Sequence, residues 1–160
     1  MSDQSNQPQP DPAALEGAHE LTDTGKFAEA KKAYEKLVEL FPKDANLWRD
    51  LGMTYSVLDE HDKAVAAFNK AVSLQPDFAN AWDWLGMKFW ETEQFALAAV
   101  AFEKAIEADP NNKHSLAALA QVYALLKRPD DAWDTWCKLR DLDPKHAEDI
   151  EFMVGEFLEY

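Results

Sequence analysis

Apolar and small residues recur along this chain in a fixed order, broken at regular intervals by proline and polar turns. In mid-chain the order is Trp48, Leu51, Gly52, Tyr55, then Ala64, Phe68, Ala71 and Pro76. It returns as Trp82, Leu85, Gly86, Phe89, then Ala98, Phe102, Ala105 and Pro110. The closing prolines, Pro42, Pro76, Pro110 and Pro144, stand 34 residues apart. Inside each period the large residues keep the three- and four-residue steps of one helical face, so each period predicts two helices and a turn. Proline lacks an N–H and clashes with the preceding turn, which places it at the end of the second helix. Asp44, Asp77, Asn111 and Asn112 follow those ends and are expected to cap the next helix with a side-chain oxygen.

Two weaker periods flank this pair. The first spans residues 11–44 with Leu21, Ala30, Tyr34, Leu37 and Pro42, and has Ala14 and Ala18 where the others have Trp and Gly. Its turn carries Gly25, a residue suited to ending a helix. The fourth, residues 113–146, has Leu116, Leu119, Ala120, Tyr123, Ala132, Trp136, Leu139 and Pro144. The order W-x-x-L-G-x-x-Y, then A, F, A and P, at a period of 34 resembles the tetratricopeptide repeat family. The resemblance covers residues 11–146. It implies an all-α fold, a right-handed superhelical stack of helix–turn–helix units (an α–α solenoid), with units at 11–44, 45–78, 79–112 and 113–146. Residues 1–10 are then expected to be a disordered lead and residues 147–160 a capping helix. In that helix Ile150, Met153, Val154 and Phe157 recur at helical spacing and are expected to lie on the fourth unit, with Phe152 and Tyr160 off the stripe.

Composition narrows the function. Sixteen basic against 30 acidic residues give a formal charge of −14, which argues against a nucleic-acid or anionic-membrane partner because no basic stripe is available. The last fourteen residues carry five acids and no base, so Arg128, Lys138 and Arg140 of the fourth unit are expected to meet them. A single cysteine, Cys137, cannot form an internal disulfide and suits a reducing cytoplasm, where it reads as a small buried or half-buried hydrophobe. The first ten residues lack the basic and apolar regions of a secretory signal, and no apolar run approaches the roughly 20 residues of a membrane span, so the chain reads as soluble and cytoplasmic.

Signals of catalysis are missing. His19, His61, His114 and His146 lie in different periods without ligand spacing, and the five glycines do not cluster into a phosphate loop. The pairs Glu91 with Glu93 and Asp130 with Asp131 fall at helix ends, where solvated charge is the ordinary explanation. The chain is read as a non-enzyme without metal or cofactor.

In the family, the first helix of each unit lines the concave face. The resemblance puts on that face Asn46, Arg49, Asp50 and Met53 of the second unit, and Asn80, Asp83, Trp84, Met87 and Trp90 of the third. The fourth adds His114 and Gln121, and the first adds Leu15, Glu16, His19 and Asp23. Trp84 and Trp90 are additional to the signature Trp82, and Trp90 suits either core packing or ligand contact. Met53 and Met87 offer soft apolar contacts and the two asparagines offer amides to a bound backbone. A charge at Met87 is expected to abolish binding with little effect on thermal unfolding. The partner implied is a protein or peptide with apolar anchors and basic flanks. The carboxylate clamp that some members turn on chaperone tails is not matched: its places hold Leu15, His19, Asp50, Asn80 and Trp84. The function expected is an interaction scaffold or adaptor, with a small cytoplasmic chaperone resembling those of secretion systems as its narrow form. The alternative is a self-assembling scaffold that forms a homo-oligomer through its C-terminal helix.

Overall fold

A computed structural model describes residues 9–155 of the chain, apart from the Met153 side chain. The expectations placed on residues 1–8, Met153, Phe157 and Tyr160 fall outside the described residues. Nine helices follow one another there: α1 Pro12–Asp23, α2 Phe27–Leu40, α3 Ala45–Val57, α4 His61–Leu74, α5 Ala79–Glu91, α6 Phe95–Ala108, α7 Lys113–Leu125, α8 Pro129–Leu142 and α9 Pro144–Gly155. They divide into two compact bodies, Met1–Gln75 and Pro76–Tyr160.

In the N-terminal body the odd-numbered helices start on carboxylate caps. The Asp11 side chain accepts from the Ala13 N–H with Pro12 opening α1, and Asp44 accepts from Asn46 and Leu47 at the head of α3. Neither α2 nor α4 has such a cap. They start instead from a tight turn: the Lys26 and Glu60 N–H groups reach back to the Leu21 and Tyr55 carbonyls, closing a Schellman-type end on the helix before. The turn needs one residue in the left-handed region, and Gly25 (φ 75°) and Asp59 (φ 57°) supply it. The core is built from Ala18, Ala30, Tyr34, Leu37, Leu47, Leu51 and Phe68, all buried.

The C-terminal body repeats these devices. Glu93 and Lys127 take the left-handed position, with Gln94 and Arg128 bonding back to Phe89 and Tyr123. Asn112 caps α7 through its bond from the Ser115 N–H. Two of the expected caps fail. Asp77 offers Ala79 its main-chain carbonyl and α5 follows Phe78 without a side-chain cap, while Asn111 sits inside a turn whose own cap is the Asp109 carboxylate. Pro110 follows α6, but Pro144 opens α9, in keeping with proline's fit at a first helical position.

Gly52 and Gly86 explain the glycine of the repeated order. A Cβ on Gly52 would stand 2.8 Å from the Phe68 ring, and one on Gly86 would stand 2.7 Å from the Phe102 ring. Phenylalanine on the second helix is thus laid flat on bare backbone of the first. The indoles of Trp48 and Trp82 donate to the Pro42 and Pro76 carbonyls at 2.9 and 2.8 Å, tying each first helix to the loop before it.

The last helix packs on α7 and α8 through Ala147, Ile150 and Val154, all buried, and the Trp136 indole donates to the Ala147 carbonyl at 2.9 Å. Phe152 is 72% exposed, as its place off the stripe implies. Among the described residues Arg128, at the head of α8, pairs with Asp131, and Arg140 pairs with Asp141. Near neighbours on one helix reach each other at lower entropic cost than groups on two helices.

Candidate functional site

The N-terminal body carries a concave pocket of about 370 Å³ formed by α1, α2 and α3. Helix α1 contributes His19, Thr22 and Asp23 to it; α3 contributes Asp50, Met53 and Val57. These positions recur at three- and four-residue steps, so each helix presents one face to the opening. At its base lies Tyr34 of α2, buried to 1% exposure. Burial pushes the Tyr34 phenol up to about 12, and the neighbouring Asp50 charge works in the same direction. Asp50 is held by Arg49, whose Nε and Nη2 stand 2.8 and 2.7 Å from its Oδ1. Its Oδ2 faces His19 Nε2 at 3.3 Å.

In the C-terminal body the corresponding aspartate is engaged by two neighbours on α7. Asp83 on α5 is 9% exposed; its Oδ2 lies 2.8 Å from His114 Nδ1, and its Oδ1 accepts from the Ser115 hydroxyl. The bond with Asp83 raises the His114 imidazole above its ordinary 6.5, against the lowering effect of burial. Serine, histidine and aspartate here share the residue types of a hydrolytic triad but not its wiring. Ser115 Oγ–H donates to Asp83 rather than to His114, and the serine is fully buried, so no nucleophile faces solvent. The cluster fastens α5 to α7.

The remaining residues expected on the binding face differ in exposure. Asn46, Asn80 and His114 are exposed; Arg49, Asp50, Met53, Trp84, Met87, Trp90 and Gln121 are half-buried; Asp83 is buried. Met87 and Trp90 pack against the core of the C-terminal body, where Trp90 meets the Phe102 ring edge-on with centroids 6.3 Å apart. Core packing therefore accounts for part of Trp90, and a charge at Met87 carries a stability cost that the sequence reading left out. Gln121 turns its amide to the Ala117 carbonyl at 3.2 Å. Cys137 is half-buried against the same core.

Several residues escaped the sequence reading. Tyr34 reads in sequence only as a repeat aromatic, although it lines the pocket. Lys88 is buried at 4% exposure, with its ammonium 2.5 Å from Glu91, and Ser115 was passed over altogether. Single-residue type gives no signal for these; only the i, i+3 spacing of Lys88 and Glu91 hints at a pair. Among the described residues no three His, Cys, Asp or Glu side chains converge as a metal site, and no helix is long and apolar enough to cross a membrane.

The tetratricopeptide repeat matches residues 15–82 and again residues 89–148. The chain belongs to the tetratricopeptide repeat family. Its helices pair in succession as an α–α solenoid, and members of this family typically act as interaction modules rather than enzymes. Among solved structures, YrrB, a repeat protein with an unusual peptide-binding site, is 23% identical with a TM-score of 0.82, over 92% of this chain and 75% of that one. MamA of Desulfovibrio magneticus RS-1 is 20% identical with a TM-score of 0.79, over 91% of this chain and 89% of that one. The first repeat domain of Spaghetti (RPAP3), bound to the HSP90 peptide SRMEEVD, is 23% identical with a TM-score of 0.68, over 71% and 90%. No sequence among curated proteins matches this repeat protein.

Proposed function

We propose that this repeat protein is a cytoplasmic interaction scaffold that holds a peptide or helix of a partner protein on its first-helix faces. The observation that carries the reading is the open pocket on α1–α3, where Asp50 and Met53, both assigned from sequence to the binding face, line one concavity with His19. In the C-terminal body the half-buried Trp84, Met87 and Trp90 on α5 supply further apolar anchors, with the exposed Asn80 and His114 beside them. Peptide binding by YrrB and by the Spaghetti domain supports a ligand of this class. The Spaghetti peptide ends in acidic residues, whereas Asp23 and Asp50 line the pocket here, so the guest proposed is basic rather than acidic. A small chaperone that shields such a segment before its delivery is the narrow form of this role.

Capture from native cell lysate on the wild type and on Met53→Glu tests it. Met53 lines the pocket itself, whereas Met87 packs against the core of the C-terminal body, which makes Met53 the more direct probe. A partner held by the wild type and lost from Met53→Glu, with an unchanged melting curve, supports the reading; identical capture by both overturns the site. A second reading, self-assembly through the C-terminal helix, is favoured by Phe152, whose ring stands exposed on α9. Loss of oligomers in Phe152→Ser would support it, and a monomeric wild type would refute it.

A further inference from the structure

The walls of the N-terminal pocket share one bias. Their polar groups mostly accept hydrogen bonds. The Thr22 hydroxyl donates to the His19 carbonyl at 2.6 Å and also meets the Tyr34 phenol, and the Thr54 hydroxyl donates to the Asp50 carbonyl at 2.8 Å, so both hydroxyl protons are engaged by their own helices. The Asp23 and Asp50 carboxylates accept only. Arg49 clamps Asp50 through Oδ1 and is not part of the lining, so it sets the carboxylate's direction without filling the space.

Between these acceptors stand the rings of Phe27 and Tyr34 and the thioether of Met53. Aromatic faces attract cations electrostatically, and an apolar wall suits the methylene stem of a long basic side chain. A volume of about 370 Å³ fits one side chain rather than a helix. An anion would meet the Asp23 carboxylate beside Asp50, whereas a cation finds both, since Asp50 keeps lone pairs beyond those turned to Arg49 and His19. The −14 charge of the whole chain adds long-range attraction for a basic segment.

We propose that this pocket is a socket for a single cationic side chain, the guanidinium or ammonium of an arginine or lysine in the bound partner. The proposal rests on the scaffold reading above and adds to it the chemistry that this one site recognises. Its test uses the full-length chain labelled with ¹⁵N and titrated with N-acetyl-arginine methylamide, with the lysine counterpart, and with the citrulline counterpart, which has nearly the shape of arginine without its charge. The expected result is a saturable shift of the amide resonances around His19, Thr22, Asp50 and Met53 with both cations, and binding at least about tenfold weaker for citrulline. Asp23 is exposed, so Asp23→Asn is expected to keep the fold and to weaken both cations about fivefold.

Citrulline binding as well as arginine would overturn the cation preference. So would shifts located elsewhere, an unaltered affinity in Asp23→Asn, or no saturable shift. None of these outcomes depends on partner capture. A partner captured through Met53 without a cation response sinks the socket alone; a cation response without any captured partner leaves the socket standing and sinks the scaffold.

Discussion

Two aspartates on first helices, Asp50 and Asp83, have nearly equal side-chain exposures of 12% and 13%, yet they sit in opposite surroundings. Asp50 borders open space. Asp83 is enclosed by His114 and Ser115 and fastens two helices together. The difference lies in the helix that each one faces. Helix α1 buries only Ala18, so its polar face stands off from α3 and leaves a pocket. Helix α7 buries every residue from Ser115 to Ala120 and again from Val122 to Ala124, and it meets the carboxylate with Ser115 and His114. A repeat becomes a site where its neighbour packs sparsely, and a joint where its neighbour packs on all sides.

Asp83→Ala gives the largest expected effect, because it leaves a fully buried serine hydroxyl without an acceptor. We expect a loss of about 2–3 kcal/mol in urea unfolding at neutral pH, against about 1 kcal/mol or less for Asp50→Ala. Equal losses would erase the distinction between joint and pocket. Gly52→Ala and Gly86→Ala come next. Both insert a methyl against a phenylalanine ring at the same spacing, and each is expected to cost about 1–3 kcal/mol. Matching costs would show that the two bodies share this contact energetically; a several-fold mismatch would show that one ring can yield.

The turn residues sharpen the comparison with a gain. Glu93→Gly and Lys127→Gly relieve a left-handed backbone at φ 58° and 55°, and each is expected to stabilise by about 1 kcal/mol, with Asp59→Gly giving less because aspartate tolerates that region better. A destabilised Lys127→Gly would mean that its side chain, not its backbone, matters there.

The smallest effect is in pH. The folded-state pKa of His114 is raised, so its bond with Asp83 adds stability that is fully present below the ordinary value of 6.5 and is lost as pH rises through the higher folded value. Wild type minus His114→Gln should therefore shrink across that window in thermal melts. A difference that grows with pH would reverse the assignment.

The repeat period, the nine-helix order and the glycine–phenylalanine contact were legible because each depends on residue size at fixed spacing. Gly52 and Phe68 are identifiable before any coordinates, and so is the buried stripe of Ile150 and Val154 on the last helix. The caps were half legible. Asp44 and Asn112 act as expected, but an Asp-x-Phe or an Asn-Asn pair does not reveal which of its oxygens meets the next helix. The left-handed turn was visible only at Gly25. At Asp59, Glu93 and Lys127 the fold imposes it on side chains that do not prefer it, and the 34-residue period was the remaining clue. The pocket was legible as single residues, Asp50 and Met53, but not as a cavity. Its openness depends on what α1 fails to bury, and its floor, Tyr34, looks in sequence like any core aromatic. Arg128 and Arg140 show a related limit: net charge points to the tail, while the local partners Asp131 and Asp141 follow only from helix spacing.

Of the six tryptophans, Trp48 alone belongs to the N-terminal body, where its indole is tied to the Pro42 carbonyl, while Trp136 is tied to the Ala147 carbonyl at the other end of the chain. Each body thus carries a built-in spectroscopic probe at a defined main-chain latch. With 5-fluorotryptophan in place of tryptophan, the Trp48 and Trp136 resonances become separate thermometers. Melting at one temperature would make the protein a single cooperative machine, and melting at two would make it a tandem in which a partner could clamp one half while the other breathes.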